Sequence, residues 1–155
     1  DVELRDLTEE VLARFKNLKE KGYIFRIHGE GTMVCDSNKI RQVIYNFISN
    51  GINYSRNKTE IDIYIISKGN MITYCVRDYG KGIPKDDQDS IWERFYRGRD
   101  HHERQMVGTG LGLFICKNIL ELHDFRYGVK SEVGVGSTFY FQGPSGEKSN
   151  MAEGV

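Results

Sequence analysis

Proline is almost absent from this chain, with two in 155 residues, there is one tryptophan, and neither sign of charge is in excess, lysine plus arginine and aspartate plus glutamate standing at 22 each. The balanced charge leaves no basic field of the kind that nucleic-acid binding draws on, so nucleic acid is not an expected partner. No apolar run approaches the ~20 residues that cross a bilayer, and the amino terminus is too polar for a signal peptide, which points to a soluble domain without direct membrane contact. Cys35, Cys75 and Cys116 are odd in number, lie among apolar neighbours and make no Cys-x-x-Cys pair. They read as buried free thiols in a reducing, cytoplasmic setting and not as a disulfide frame or a zinc site. The length suits one domain with its own core, and no internal repeat is visible.

What the chain does have is glycine, 17 residues of it, set between periodic apolar segments. Leu4, Leu7, Val11, Leu12, Phe15 and Leu18 recur at helical spacing, with Thr8 a candidate start and Gly22 a candidate end. Tyr23 to His28 and Thr32 to Cys35 read as strands. Asp36 is a credible N-cap for a helix carrying Ile40, Val43, Ile44, Phe47, Ile48 and Ile52. Ile61 to Ser67 and Met71 to Arg77 flank Lys68-Gly69-Asn70 as a hairpin. Arg97 to Val107 is polar and lacks apolar periodicity, and is expected to be a mobile loop or lid. A helix from Leu111 to Leu122 follows, then a last hairpin of Phe125 to Ser131 and Ser137 to Phe141. Together these predict an α+β fold, a two-layer sandwich with one mixed, mostly antiparallel sheet of about five strands covered on one face by three helices. Residues 1–142 are expected to form the domain and 143–155 a polar, disordered tail.

Three polar clusters carry the chemistry. Gly108-Thr109-Gly110-Leu111-Gly112-Leu113 runs a glycine-spaced loop into an apolar helix, placing bare N–H groups where a phosphate would sit. Asp78-Tyr79-Gly80-Lys81-Gly82-Ile83-Pro84 opens a second glycine loop with a carboxylate able to accept an exocyclic amine, the glycines letting backbone approach a flat ligand. Asn46 and Asn50 lie one helical turn apart, after Gln42 on the same stripe, so both amides can point into one site, and an amide oxygen suits Mg²⁺.

In this order the clusters resemble the asparagine box and the glycine boxes of the Bergerat-fold ATPases and kinases. Ile91-Trp92-Glu93-Arg94-Phe95-Tyr96-Arg97 looks like the aromatic box that separates histidine kinases from their relatives, and Gly136-Ser137-Thr138-Phe139-Tyr140-Phe141 like the closing glycine segment. The boxes span Gln42 to Phe141, and the chain is identified on them as a catalytic ATP-binding domain of the sensor histidine kinases. The resemblance implies ATP and Mg²⁺ as ligands. It makes Asn50 the metal ligand, Tyr54 an aromatic wall for adenine, and Asp78 the acceptor of the adenine amine. Gly80, Gly82 and Ile83 would complete the base pocket, and Thr138 would reach the nucleotide from the last hairpin. Gly108, Thr109, Gly110, Leu111 and Gly112 would cradle phosphate, Tyr96 would anchor the lid, and Arg97 and Arg104 would offer guanidinium groups to the phosphates. Asn46 stands where relatives that hydrolyse ATP carry a glutamate; an amide is no general base, which favours phosphoryl transfer to a protein over transfer to water.

The chain departs from the pattern at Asn53, a phosphate-side position where the family commonly has lysine or arginine, and at Gly51, where alanine is usual and glycine costs up to about 1 kcal/mol of helix stability. Histidine kinases of this type phosphorylate a histidine on a helical dimerisation domain. None of the four histidines here suits that role: His123-Asp124-Phe125-Arg126 imitates the acceptor pattern but ends a helix, His101 and His102 lie in the lid, and His28 ends a strand. The acceptor domain is therefore expected upstream in a parent protein, with a response regulator as the next partner, and autophosphorylation by this chain alone is not expected. The domain would be cytoplasmic, its parent an inner-membrane sensor in one version. Two other readings are a serine kinase of the anti-sigma type, which should carry an acid at position 46, and a nucleotide-sensing or partner-docking module without phosphotransfer.

Overall fold

The computed structural model describes residues 1–55, 59–94, 96 and 112–146. Strand β1 (Val2–Glu3) leads into helix α1 (Leu4–Leu12), a 3-10 turn at Ala13–Phe15 and the short helix α2 (Lys16–Glu20). Strands β2 (Ile24–His28) and β3 (Thr32–Met33) precede the long helix α3 (Ser37–Ser55). Next come strands β4 (Glu60–Lys68) and β5 (Met71–Asp78), 3-10 turns at Lys85–Asp87 and Ser90–Trp92, helix α4 (Gly112–Leu122), and strands β6 (Arg126–Glu132) and β7 (Gly136–Pro144).

The main sheet has the order β2-β4-β5-β7-β6. Only β2 and β4 pair in parallel; the other three contacts are antiparallel. This is the mixed, mostly antiparallel α+β sandwich expected. Alternation explains why one face is covered: Ile72, Tyr74, Val76 and Asp78 of β5 are buried while Met71, Thr73, Cys75 and Arg77 are half-exposed. Ile61, Ile63 and Ile65 of β4 and Phe139 and Phe141 of β7 join the buried side. Against it lie Ile40, Val43, Ile44, Phe47 and Ile48, the apolar stripe of α3, each with no exposed surface. Each such side chain contributes about 1.5–3 kcal/mol by leaving water, which commits α3 to the sheet and carries its asparagines with it.

The ends of α3 and α4 show how the layer is assembled. Asp36 caps α3 as expected, its Oδ1 accepting the N–H groups of Asn38 at 3.0 Å and Lys39 at 3.2 Å. His123 closes α4: its Nδ1–H donates to the Ile119 carbonyl at 2.8 Å and its Nε2 accepts the Asp36 N–H at 3.1 Å. Both ring nitrogens are thus used in tying the end of α4 to the start of α3, the structural role expected for this histidine.

Two boundaries are corrected. The first helix begins at Leu4 and not at Thr8, because the Glu3 carboxylate accepts the Arg5 N–H. Thr8 is buried within it, its hydroxyl donating to the Leu4 carbonyl and meeting the Tyr74 hydroxyl, both at 2.7 Å. Residues 143–146, expected to open the disordered tail, are instead held in the fold. β7 keeps its pairing with β5 through Pro144, Ser145 bridges to Met33, and the Gly146 N–H donates to the Thr32 carbonyl at 2.8 Å. The sheet edge beside β3 and Asn70 supplies partners that the polar composition of this segment does not announce.

Asp124 is the one described residue other than glycine with a positive φ, at 59°. It ends α4 in a double turn, its own N–H reaching the Glu121 carbonyl at 3.0 Å and that of Phe125 reaching Leu120 at 3.0 Å. A Cβ in this conformation is strained and glycine is not. Asp124→Gly should therefore stabilise the fold by about 0.5–1 kcal/mol, read as a raised urea midpoint; a lowered midpoint would show that the aspartate side chain compensates for its backbone.

Candidate nucleotide site

At the end of β5 the chain leaves the sheet with Asp78 pointing to the helix side. Its carboxylate is 1% exposed. One oxygen accepts the Gly80 N–H at 3.0 Å, and the other is buried with no partner among the described residues. Asn50, one turn from the end of α3 and 8% exposed, has an amide nitrogen in the same condition. A buried polar atom without a partner costs about 1–3 kcal/mol, so two such atoms on the same side of the fold mark a place where a ligand can supply what the protein does not.

The glycines explain how the backbone closes around Asp78. A Cβ at Gly80 would lie 2.1 Å from the Tyr54 carbonyl oxygen, which sets the loop directly on the last turn of α3. Gly136, with φ at 141°, would bring a Cβ 2.2 Å from the Asp78 carbonyl oxygen. Gly82, with φ at 77°, does the same to Glu132 at 2.2 Å. The loop is further pinned by Ile83, whose N–H donates to the Ser131 hydroxyl at 2.7 Å, and by Gln88, whose amide donates to the Ile83 carbonyl at 3.0 Å. Gly51 also acquires a reason: a Cβ there would meet Ile61 Cδ1 at 3.1 Å and Asp78 Cβ at 3.7 Å, so the helix passes close above the carboxylate.

Tyr54 is 8% exposed beside this loop, with the Lys81 ammonium 5.2 Å from its ring centre. Burial, then the nearby Tyr96 and Asp78, push its hydroxyl up to about 12. Asp78, Gly80, Gly82, Ile83, Tyr54 and Asn50 are thus brought to one end of the sheet. Asn53 is half-buried on the same last turns of α3. Asn46 sits a turn earlier, its amide donating to the Gly112 carbonyl at 3.4 Å, so it ties α3 to the start of α4 where the second glycine loop enters. Among the described residues no group of three histidine, cysteine or acidic side chains could hold a metal. Arg97, Arg104, Gly108, Thr109, Gly110 and Leu111, with the expected lid and its histidine pair, lie outside the described residues.

Thr138 is not part of this cluster. It pairs with Arg77, on the half-exposed side of the sheet, while its neighbour Ser137 pairs with Asp78. Ser137 is 3% exposed, its backbone helps to offset the effect of burial on the Asp78 carboxyl, and its hydroxyl is 2.7 Å from that of Ser131. The period of two in β7 is the missed signal: Phe139 and Phe141 face the core, so Ser137 does and Thr138 does not.

Burial pushes the Asp78 carboxyl up to about 6, against the hydrogen bond from Gly80, the Ser137 backbone and the charge of Arg77. The folded chain therefore holds this proton more tightly than the unfolded chain. The stability so gained is complete below 3.8, the ordinary value, and lost as pH rises through about 6. Asp78→Asn, which has no charge to desolvate, should be more stable than the parent at pH 8 by roughly 1–3 kcal/mol and lose that advantage near pH 4. Urea unfolding at the two pH values reads it, and a less stable variant at pH 8 would contradict the assignment of Asp78 as a costly buried anion.

The helix-covered sheet and a dry carboxylate rimmed by glycine turns define a nucleotide-binding domain of the ATPase kind. Residues 35–147 match the family of histidine kinase-, DNA gyrase B- and HSP90-like ATPases, and the chain belongs to that family. It is 33% identical over 139 residues to the signal transduction histidine-protein kinase ArlS of Staphylococcus haemolyticus, covering 86% of this chain and 31% of that protein. It is 34% identical over 148 residues to the sensor-like histidine kinase SenX3 of Mycolicibacterium smegmatis, covering 89% and 37%. The chain thus spans about a third of the length of these curated relatives. Among solved structures, the mycobacterial sensor histidine kinase MprB superposes with a TM-score of 0.78 at 19% identity, covering 93% of this chain and 95% of that one, and so shows the shared fold. Full-length ShkA in complex with AMPPNP gives 0.77 at 25% identity, covering 93% and 30%. The fold class and the recognition made from the glycine and asparagine boxes are borne out, the chain being an ATP-binding catalytic domain of the histidine kinase type.

Proposed function

We propose that this domain binds Mg-ATP at the end of the sheet beside Asp78 and, within a longer parent protein, passes the γ-phosphoryl group to a histidine on a separate dimerisation domain. The observation that carries this reading is the pair of buried atoms without partners among the described residues, Asp78 Oδ2 and Asn50 Nδ2, in a chain whose family is that of the ATPases. Asp78 accepts the exocyclic amine of adenine, Tyr54 flanks the base, and Gly80, Gly82 and Ile83 supply backbone that can lie close to a flat ring. Asn50 offers an amide that fits both a phosphate oxygen and a hard divalent cation. When bound, Mg²⁺ neutralises charge on the phosphates and aligns them for in-line transfer.

The remaining roles belong to Asn46, Tyr96, Gly112 and residues outside the described part. Gly108, Thr109, Gly110 and Leu111, with Gly112 at the start of α4, present N–H groups to phosphate, Arg97 and Arg104 stabilise the transferring group, and Tyr96 anchors the segment that carries them. Asn46 lacks the basicity to activate water, and its engagement with Gly112 suits holding the phosphate loop in place. The acceptor histidine and a response regulator are the partners of this reading. The domain is cytoplasmic in this reading, and none of the described helices is long and apolar enough to cross a membrane.

Calorimetric titration with a non-hydrolysable ATP analogue tests the reading. Saturable binding that strengthens with Mg²⁺, outcompetes GTP, and weakens by at least about tenfold in Asp78→Asn, or ~1.4 kcal/mol, is the expected result. Asn50→Ala should remove the Mg²⁺-dependent part and leave base selection intact. A folded sample that binds neither nucleotide would sink the proposal.

A further inference from the structure

The open face of the sheet, opposite the helices, carries a charged cluster that the nucleotide reading does not use. Its centre is Asp62 on β4, which stands in register with Arg26 of β2 and Arg77 of β5. Although the face is uncovered, Asp62 is 4% exposed, because its neighbours close over it. His28 Nε2 donates to Oδ1 at 2.8 Å, the Tyr79 hydroxyl donates to Oδ2 at 2.5 Å, and an Arg26 guanidinium nitrogen lies 3.5 Å from Oδ2. Arg26 is held in turn by Glu60 at 2.6 Å, and His28 by stacking on Tyr64, ring centres 4.6 Å apart. Burial alone would push the Asp62 carboxyl up, but the hydrogen bonds from His28 and Tyr79 and the charge of Arg26 outweigh it and leave it below the usual carboxylate range. The cluster therefore presents a fixed anion to a phenol.

That phenol belongs to the residue after Asp78. Adjacent residues of an extended chain point to opposite faces, so where Asp78 turns its carboxylate to the helix side, Tyr79 returns across the strand end to the open side. Arg77 holds the ring from beyond, its guanidinium carbon 4.9 Å from the ring centre. The turn made by Asp78, Tyr79 and Gly80 is thus gripped from both faces: Gly80 holds the carboxylate, and Asp62 holds the tyrosine. A rotation of this turn would swing Asp78 off its base contact and would also break a charge-assisted hydrogen bond, which is about twice as strong as a neutral one.

We propose that Asp62 is a positioning residue for the adenine pocket, acting through the Tyr79 hydroxyl from the opposite face of the sheet to set where Asp78 points. The inference rests on the nucleotide reading above and adds the network that tunes base selection. Arg26 and His28 keep Asp62 anionic and immobile, so the open face of the sheet, remote from any ligand contact, bears on affinity.

Calorimetry of the ATP analogue and of GTP on the parent chain, Tyr79→Phe, Asp62→Ala and the double variant tests this. Tyr79→Phe removes one oxygen and keeps the ring, so it should still fold, with a melting temperature lowered by several degrees for the hydrogen bond lost to a buried charged group. It should bind ATP about five- to tenfold more weakly, because the released turn holds Asp78 in its contact orientation for a smaller fraction of the time, with a smaller preference for ATP over GTP. Asp62→Ala should show the same loss, and the double variant should be no worse than the poorer single, since both changes cut one link. Tyr79→Phe with parental affinity and selectivity overturns the inference, as does strict additivity of the two changes, and either leaves the pocket itself standing. If the parent chain binds no nucleotide, the pocket and its positioning residue fall together. Should Asp62→Ala not fold, Tyr79→Phe alone decides.

Discussion

Backbone approaching backbone at the end of β5 is the constraint on which the rest of this molecule depends. Asp78 is followed by Gly80 against the Tyr54 carbonyl and faced by Gly136, whose Cβ, if it had one, would lie 2.2 Å from the Asp78 carbonyl oxygen. Gly82 is set equally close to Glu132 on the turn between β6 and β7. No side chain fits at these contacts, so a helix end, a strand end and a hairpin turn converge with nothing between them. Water is excluded from the carboxylate for the same reason, Asp78 being 1% exposed.

A dry carboxylate is expensive, and the layered core is what makes it tolerable. The stripe of α3 from Ile40 to Ile48 and the inward residues of β4, β5 and β7 form one continuous apolar cluster, large enough to hold Asp78 and Asn50 in positions that each would leave if free to move. The ties at the helix ends serve the same purpose. His123 links α4 to the cap of α3, Asn46 links α3 to the start of α4, and the Ser55 hydroxyl donates back to the Gly51 carbonyl. Such residues look chemically active in a sequence, because histidine, asparagine and serine have the same functional groups whether they bind a ligand or a neighbouring helix. The thiols belong with them: burial raises Cys116 to about 12 and Cys35 to about 11, which removes them from reactivity at ordinary pH.

Adjacent residues at the rim of the pocket divide labour by the face on which they lie. Asp78 and Ser137 point to the helices, Tyr79 and Thr138 to the open side, and a shift of one residue in either strand would exchange the two sets. The pairing of Asp78 with Ser137 is therefore what decides which hydroxyl of the last hairpin lies on the side of the Asp78 carboxylate. It also explains why a charged cluster centred on Asp62 bears on a site it never touches, since Tyr79 crosses the end of the sheet to reach it.

Periodicity and punctuation were enough to read most of this protein from its residues. The apolar stripe of α3, the Asp36 cap, the hairpin around Gly69 and the alternation in β5 are local features, decided by neighbours three or four positions away, and they survive into the structure unchanged. The resemblance carried by the glycine and asparagine boxes also named Asp78, Asn50 and Tyr54 together, and the fold brings them to one end of the sheet. What only the tertiary structure decided are matters of partnership between distant segments. The first helix starts before Thr8 because the Glu3 carboxylate caps it, while Thr8 turns inward to Tyr74, sixty-six residues on; Gly143 and Pro144 stay in the sheet because β5 offers them partners; and register turns Ser137, not Thr138, to the helix side. His28 and Asp62 carried no signal in the sequence, because a hydrogen-bonded cluster is assembled by the pairing of β2 with β4, and pairing is settled by which strands can bury their apolar faces together, not by any residue within one strand.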